Sequence, residues 1–281
     1  MAAPADIDAH TATTPRAAVI ADSISPAGAR VTTIEVTLHR FVLAELNTHR
    51  SFSRNSASSR AIPIAKQIRR VQEDPAVPVE FGADQRGMQA GQPLTGMEHD
   101  DALEAWLGAR DAAVEAVQSL AALGVHKQVT NRLLEPFMWQ TVIVTATDFD
   151  GFWQQRCSPL AQPEIHAAAE AMRAAYRAST PEPMAEGDWH TPYIRPEETD
   201  LDAGARRRIS AARCARVSYL THDGRRDLDA DETLYARLVT ADPPHWSPLE
   251  HVARPLAEGE APLGNLRGWR QLRHDVESAR S

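Results

Sequence analysis

The sequence predicts a single α+β domain, and three stretches with different periodicities support that prediction. Residues 31–36, VTTIEV, alternate between a more polar and a more apolar set, as in a half-exposed strand. From Asp100 to Leu123, apolar residues recur at steps of three and four, the spacing of one helix face. The apolar run TVIVTATDF at 141–149 fits a buried strand or a turn of a buried helix. No internal repeat or clear linker divides the chain, which favours one domain over two.

Order is expected to begin near Val19. Residues 1–18 are mainly Ala, Thr and Pro without periodicity, which predicts a flexible N-terminal tail before a single domain over residues 19–281. After the first strand, the apolar spacing over residues 41–46 predicts a helical segment.

Two long loops separate the later elements. Residues 73–98 and 179–205 are rich in Pro, Gly and polar residues without a period, which predicts irregular structure. The helix predicted from Asp100 has acidic residues in its first turn and Gly124 just after its end. The Ala-rich stretch from residue 161 and the stretch 229–241 are also predicted to be helical.

The bulk composition is that of an ordinary globular protein. The 281 residues are 43% hydrophobic and 24% charged, with a net charge of -8 and a pI near 5.8. Nucleic acids and anionic membranes attract basic proteins, so neither is expected as a partner. Cys157 and Cys214 lack CxxC spacing, and no apolar stretch approaches the roughly 20 residues that span a bilayer. A secretory leader pattern is not evident, so a cytoplasmic location is expected.

A basic, polar run stands out against this acidic background. Residues 47–63 read NTHRSFSRNSASSRAIP. Guanidinium groups and hydroxyls are the donors that bind a phosphate group, and small residues let the backbone approach it. A solvated loop would have a similar composition. The run alone leaves these two interpretations evenly balanced.

A second polar cluster, PPHWSPLEHV, occupies residues 243–252. His245, Glu250 and His251 lack the spacing of a zinc-binding HExxH helix, so no metal site is expected. Ser247 followed by Pro248 and Glu250 is typical of a helix start, with Ser247 as the N-cap.

Two arginines lie among apolar and aromatic residues. Arg132 belongs to NRLLEPF, and Arg156 to DGFWQQRCSPLAQPEI. Because an unpaired buried cation is costly, each needs an anionic partner, and the nearby candidates within the chain are Glu135 and Glu164. Cys214 in RCARVSY has no evident activating base, so a buried packing role is favoured over a nucleophilic one.

Together these clusters resemble the motifs of the flavin-dependent thymidylate synthases. That family's signature is Arg-His-Arg, two residues, Ser, one residue, Asn-Glu, one residue, Ser, one residue, Arg-Tyr. The residues of this chain that match it are His49, Arg50, Ser53, Asn55, Ser58 and Arg60. HWSPLEH at 245–251 matches the family's His-x-Ser/Thr-Pro-x-Glu-His element.

Two further segments are similar to family motifs. RLLEP from Arg132 resembles R-x-V-L-P, and GFWQQRCSPLAQPEI resembles N-F-L-x-L-R…A-Q-x-E-I. In the family, however, the AARxSY and His-Pro-Glu-His elements precede the signature, whereas here CARVSY and HWSPLEH follow it. This order predicts a circularly permuted or otherwise rearranged member.

The resemblance implies a fold, a reaction and ligands. The fold would be a mixed or antiparallel sheet with packed helices, and residues 19–281 would form one catalytic domain. The reaction would transfer a one-carbon unit from methylenetetrahydrofolate to C5 of a pyrimidine deoxynucleoside monophosphate, with FAD as cofactor and NADPH as reductant. The family's tetramers have sites between subunits, so a homotetramer is expected.

The resemblance also implies roles for individual residues. The FAD-binding positions match His49, Arg50, Ser53, Asn55, His245, Ser247 and Glu250. The nucleotide-binding positions match Ser58, Arg60, Arg132 and Arg156. Arg156 and Ser58 are the expected catalytic residues, since an arginine at a pyrimidine carbonyl stabilises negative charge on the activated ring.

Departures from the motifs leave the substrate open. They fall at Thr48, Ser56, Ala61, Thr145, Thr147 and Gly151. Conversion of dUMP to dTMP is the first expectation. Changed polar contacts would also suit dCMP, whose base presents an amine in place of a carbonyl, and a methyl or hydroxymethyl product. A non-catalytic nucleotide-binding homologue is the alternative from another class.

Overall fold

A mixed five-stranded sheet lies at the centre of the fold. The computed structural model describes residues 14–198, 200–217 and 227–280. Strands β1 to β5 span Arg16–Ile24, Arg30–His39, Ser53–Ser56, Trp139–Ala146 and Glu182–Pro183. Their order in the sheet is β3-β4-β2-β1-β5, with β1 and β5 parallel and the other neighbours antiparallel. The predicted α+β class with a mixed sheet and packed helices is therefore confirmed.

Helices pack around the sheet on both faces. Helices α1 to α9 span Leu43–Asn47, Ile64–Glu73, Met97–Ala122, Lys127–Thr130, Asp150–Arg156, Pro163–Ala178, Ala203–Arg216, Leu228–Thr240 and Leu272–Ser278. Shorter 3₁₀ turns span Arg40–Val42, Ser59–Ala61, Asn131–Phe137 and Ser247–Glu250. Strands β6 (Ala253–Pro255) and β7 (Trp269–Gln271) form a separate antiparallel ribbon.

The first face of the sheet is apolar and packs against α5 and α6. Ile34, Val36 and Leu38 of β2 are fully buried on this face. They belong to the same hydrophobic core as Ala168 and Ala169 of α6. Small alanine side chains let the helix axis lie close to the strands, and close packing makes the burial of each aliphatic side chain effective.

The second face is polar, and residues from the C-terminal part of the chain cover it. A buried chain of hydrogen bonds crosses this face, from His251 Nδ1 to Thr145 Oγ1 (2.8 Å), Thr33 Oγ1 (2.6 Å) and His190 Nε2 (2.8 Å). His190 Nδ1 then reaches Ser23 Oγ at 2.9 Å. A neutral imidazole donates from one nitrogen and accepts at the other, so the chain forms with both histidines uncharged.

Several predicted elements agree with the structure and two do not. The helix from Asp100 is α3, and the run at 141–149 contains strand β4. The predicted tail over residues 1–18 extends too far, because β1 already begins at Arg16, which pairs with Thr37 of β2. Residues 1–13 lie outside the described residues, and the division into tail and single catalytic domain stays a prediction.

The half-exposed character predicted for residues 31–36 is also wrong. β2 is the middle strand and is buried along most of its length, because α6 covers one face and the C-terminal part of the chain covers the other. Within the described ranges, no helix combines the length and apolar character needed to cross a membrane.

The buried histidines predict that stability falls in mild acid. Burial lowers the pKa of His190 to about 4 and that of His251 to about 3, from an ordinary value of 6.5. As the pH falls below 6.5, the unfolded chain binds protons that these folded imidazoles do not, so the free energy of unfolding decreases. Each histidine contributes about 1.4 kcal/mol per pH unit. The free energy of unfolding of His190→Gln, measured with denaturant, should therefore decrease less steeply between about pH 6 and 5. The difference from the native protein should be that amount per pH unit.

The exposed Thr233 of α8, which has no ionisable group, provides the control for this measurement. Thr233→Ala should leave the pH dependence of the native protein unchanged. An equal slope for the native protein and His190→Gln would show that His190 is not held neutral by the fold.

Candidate functional site

The polar run at residues 47–63 is built around β3, with one group of side chains at each end of the strand. Arg54 of β3 fixes the segment before the strand, because its Nη1 donates to the carbonyls of Leu46 (3.3 Å), Asn47 (2.7 Å) and His49 (3.1 Å). The turn Ser59–Ala61 follows the strand. The run is thus ordered by the protein's own contacts.

The first group, which we call the His49 cluster, consists of Thr48, His49, Arg50, Phe152 and Arg156. Arg156 Nε donates to His49 Nε2 at 3.1 Å, and its Nη2 contacts Thr48 Oγ1 at 3.1 Å. The His49 ring meets Phe152 edge-on at 4.9 Å. Since Arg156 donates to Nε2, the proton of neutral His49 lies on Nδ1. Burial lowers the pKa of His49, and the charges of Arg156 and Arg54 lower it further.

A cleft of about 460 Å³ opens beside this cluster. Its lining residues are Thr48, His49, Arg50, Ser51, Asp148, Gly151, Phe152 and Gln155. The exposed Arg50 makes no hydrogen bond or ion pair with the described residues. Asp148 Oδ2 lies 3.5 Å from Arg267 Nη1, and this ion pair offsets the negative charge of Asp148. The cleft therefore combines an aromatic wall with a free guanidinium group.

The second group, which we call the Ser58 cluster, consists of Ser58, Ser59, Arg60, Arg132 and Glu135. Side chains from α4 and beyond hold its backbone. Asn131 Nδ2 donates to the carbonyls of Ser59 (2.8 Å) and Ile62 (3.0 Å). Lys127 Nζ binds the Ala61 carbonyl at 3.2 Å, and Gln140 Nε2 binds the Ala57 carbonyl at 2.6 Å.

The side chains of Ser58 and Arg60 stay free on this fixed backbone. Neither makes a hydrogen bond or ion pair with the described residues, and Arg60 is exposed. Arg132 Nη1 instead binds Glu135 Oε1 at 2.6 Å, as predicted for the pairing within the chain. A preorganised hydroxyl and guanidinium without protein partners are suited to an external anion.

The two clusters do not meet within one chain. They flank β3, whose four residues Ser53–Ser56 separate them by roughly 10 Å at an extended rise per residue. Arg156 contacts His49, whereas Ser59, next to Ser58, shares the Glu135 carboxylate with Arg132. The two expected catalytic residues, Arg156 and Ser58, are therefore at opposite ends of the strand.

The pairing predicted for Arg156 is wrong. Glu164 accepts hydrogen bonds from Val79 N (2.9 Å) and Gln162 Nε2 (3.0 Å), and it does not bind Arg156. Glu164 is buried near the start of α6, where the backbone amide and the glutamine satisfy it. Arg156 donates to His49 Nε2, the Glu45 carbonyl and Thr48 Oγ1, and none of the described residues forms an ion pair with it.

Ser53 and Asn55 are bound to the C-terminal part of the chain. Gln271 Nε2 donates to Ser53 Oγ at 2.9 Å and to the Glu250 carbonyl at 2.8 Å. Asn55 Nδ2 donates to the Cys214 carbonyl at 2.7 Å. These contacts attach the signature segment to α7 and β7.

The HWSPLEH element packs beside β3 but does not begin the predicted helix. It forms a 3₁₀ turn over Ser247–Glu250 whose N-cap is Trp246, without a side-chain cap. Ser247 is exposed, and Glu250 pairs with Arg273 in place of a capping-box contact. His245 is exposed and His251 is fully buried. Among the described residues, no group of three or more His, Cys, Asp or Glu side chains is arranged to hold a metal ion.

The sequence also matches a known family model. Residues 19–182 match the model described as thymidylate synthase complementing protein. The chain belongs to this family. The resemblance inferred from the motifs is thus confirmed. HWSPLEH and RCARVSY lie beyond the matched residues of the thymidylate synthase complementing protein model, and Ser218 and Tyr219 lie outside the described residues, so the permuted order stays a prediction.

Two solved structures are similar to this chain at low identity. The UMP/dUMP methylase PolB from Streptomyces cacaoi bound with 5-Br UMP has 17% identity, covers 59% of this chain and 89% of its own, and gives a TM-score of 0.49. The same methylase bound with 5-Br dUMP has 19% identity. The match covers 52% of this chain and 65% of that chain, with a TM-score of 0.40. No curated protein matches the sequence.

Several residues that build the site were not predicted from the sequence. Asn131, Gln140 and Gln271 each donate to segments that are distant along the chain. Amides carry no periodicity signal, so only the fold reveals their partners. Cys214, in contrast, is fully buried as predicted, and burial raises the pKa of its thiol.

Removal of the Arg156 charge should raise the pKa of His49. In Arg156→Gln the imidazole loses its strongest charged neighbour while it stays buried, so its pKa should move part of the way to the ordinary value. An NMR pH titration of the imidazole would measure this change. Arg237→Gln, which alters an exposed arginine of α8, is the control. An unchanged pKa in Arg156→Gln would show that burial alone sets it.

Proposed function

We propose that this protein transfers a one-carbon unit to C5 of a pyrimidine deoxynucleoside monophosphate, with dUMP to dTMP as the leading reaction. Family membership supports the reaction class. The observation that carries the proposal is the free pair Ser58 and Arg60 on a backbone held by Asn131, Lys127 and Gln140. Such a pair binds a phosphate without first breaking a protein contact.

The nucleotide phosphate would be bound by Ser58 and Arg60. The hydroxyl donates one hydrogen bond, and the guanidinium group donates a bidentate, charge-assisted pair. Since the carbonyls of Ala57, Ser59 and Ala61 are already held, little backbone conformational entropy is lost when the ligand binds.

The cleft of the His49 cluster fits part of an FAD molecule. Arg50 is exposed and has no partner among the described residues, so it is available for the pyrophosphate, and Phe152 offers an aromatic wall. His245 and Ser247 are exposed and available as further contacts. When bound, reduced flavin supplies the hydride for the reaction, with NADPH as the proposed reductant and methylenetetrahydrofolate as the carbon donor.

Three of the proposed flavin-binding positions are bound to the C-terminal part of the chain. Ser53 is buried against Gln271, Asn55 binds the Cys214 carbonyl, and Glu250 pairs with Arg273. We therefore propose that these residues position the cleft and leave direct contact with the cofactor to His49, Arg50, His245 and Ser247.

Arg156 is proposed to contact the pyrimidine ring. Its guanidinium group would stabilise the negative charge that develops on a ring carbonyl as C5 is activated. Arg156 and Ser58 lie at opposite ends of β3, so the ring and the phosphate of one nucleotide would contact different ends of the strand. We propose that these two contacts come from different subunits of a homotetramer with sites between subunits.

The pyrimidine base of the substrate is proposed to be uracil, with cytosine as the alternative. Thr48 occupies the position at which the signature has its first arginine. Its hydroxyl accepts a hydrogen bond from Arg156, so Thr48 changes how Arg156 is presented to the base. Uracil has a carbonyl and cytosine an amine at the 4-position of the ring, so the hydrogen-bonding groups that the site places there select between them. dCMP is therefore the second candidate substrate.

Reconstitution tests the proposed reaction. Purified protein should show a flavin absorption band after incubation with FAD. It should then convert dUMP in the presence of NADPH and methylenetetrahydrofolate, with dCMP assayed in parallel. Product from dCMP alone would replace the leading substrate. Nucleotide binding without flavin binding or product would identify a non-catalytic homologue and contradict the proposal.

Arg60→Ala should weaken binding of the nucleotide. Loss of charge-assisted hydrogen bonds to a phosphate costs about 1.5–3 kcal/mol, so the Kd for dUMP, measured by titration calorimetry, should rise about 10- to 150-fold. Arg237→Ala removes the same charge from an exposed position on α8 and should leave the Kd unchanged. Equal affinities of Arg60→Ala and the native protein would exclude Arg60 from the phosphate site.

A further inference from the structure

Glu135 is the acceptor for three donors in the Ser58 cluster. Its Oε1 atom accepts hydrogen bonds from Arg132 Nη1 (2.6 Å), Arg40 Nη2 (3.2 Å) and Ser59 Oγ (3.4 Å). The residue stands where the R-x-V-L-P motif has leucine, next to Pro136. A carboxylate has thus been placed where the related motif has an apolar side chain.

The donors around Glu135 are of the kind that bind a phosphate oxygen. Two guanidinium groups and a hydroxyl converge on one anionic atom, which is the arrangement expected around a bound oxyanion. The Arg132 side chain is 50% exposed and that of Glu135 is 23% exposed, so an anion from solvent has access to the pair. Arg40 is less exposed, at 19%, and remains a partner of Glu135.

We infer that Glu135 is an internal competitor of the substrate phosphate for Arg132. In the free protein the carboxylate holds Arg132, and a nucleotide bound at Ser58 and Arg60 gains this second cation only by displacing Glu135. Glu135 thereby lowers the affinity for the phosphate and shifts recognition to the sugar and base. This inference rests on the proposed function, because it takes the ligand to be a pyrimidine deoxynucleoside monophosphate.

A purely structural role for the carboxylate makes a different prediction. If Glu135 only supported the turn at Ser59, its neutralisation would lower stability and leave binding unchanged or weaker. If Glu135 competes with phosphate, its neutralisation strengthens the binding of ligands that carry a phosphate. Ligands with and without that group therefore distinguish the two roles.

Glu135→Gln tests the inference because the amide keeps an oxygen acceptor for Arg40 and Ser59 while it removes the charge. Titration calorimetry should give about fivefold tighter binding of dUMP, the most that an exposed ion pair is worth. Binding of deoxyuridine, which lacks the phosphate, should not change. The gain should disappear in the double variant Glu135→Gln/Arg132→Ala.

Glu232→Gln is the matched control. Glu232 pairs with Arg208 between α7 and α8 at comparable exposure, so the variant changes the net charge equally. Its dUMP affinity should equal that of the native protein. A similar gain in Glu232→Gln would show a general charge effect and overturn the inference.

The remaining outcomes are also decisive. Unchanged dUMP binding by a Glu135→Gln variant with native melting temperature, or an equal gain for deoxyuridine, would overturn the inference. Glu135→Leu serves as a second variant, and failure of both variants to fold would show that Glu135 is a structural residue. If the native protein binds no pyrimidine nucleotide, the proposed function fails. Inorganic pyrophosphate titrated into the same variants would then still test the competition, with a gain expected only in Glu135→Gln and Glu135→Leu.

Discussion

Burial of a polar sheet face is the constraint on which the rest of the structure depends. Thr33 and Thr145 lie on neighbouring strands in a region without access to water, and buried hydroxyls are costly unless they are hydrogen-bonded. His190 and His251 satisfy them, and Tyr193 donates to Glu35 on the same face. These hydrogen bonds therefore hold the C-terminal part of the chain in the position against the sheet at which both threonine hydroxyls are paired.

That position also determines the shape of the candidate site. His251 ends the HWSPLEH element, so its bond to Thr145 brings the turn at Ser247–Glu250 beside β3. Gln271 then joins Ser53 to the Glu250 carbonyl. Ser53 follows Ser51, which lines the cleft, by two residues, so the core hydrogen bonds help to fix the segment that forms one side of the cleft.

The local structure followed from the sequence where one segment determined it. The α3 helix was predictable because its apolar face, acidic first turn and terminal Gly124 are all local features. The burial of β2 was not predictable, since it depends on two distant segments that cover opposite faces. The N-cap role of Ser247 failed for a similar reason, because Glu250 found a stronger partner in Arg273.

The contacts of the candidate site were predictable only in part. The spacing of the signature predicts roles for Ser58, Arg60 and His49 that stay predictions, whereas the contact between Arg132 and Glu135 was predicted and is present. Arg156 was assigned the wrong partner, since proximity along the chain favoured Glu164 whereas the fold placed it beside His49. The amides of Asn131 and Gln140 gave no signal, although they fix the segment that carries Ser58.

The link between Ser53 and Gln271 has a consequence for folding. These residues are 218 positions apart, and contacts of such long range form late because the intervening loop must first close. During synthesis, which proceeds from the N-terminus, β3 is made long before Gln271 and lacks this partner until then. The sheet can therefore assemble first through β2 and β4, and β3 is joined to the C-terminal part of the chain afterwards.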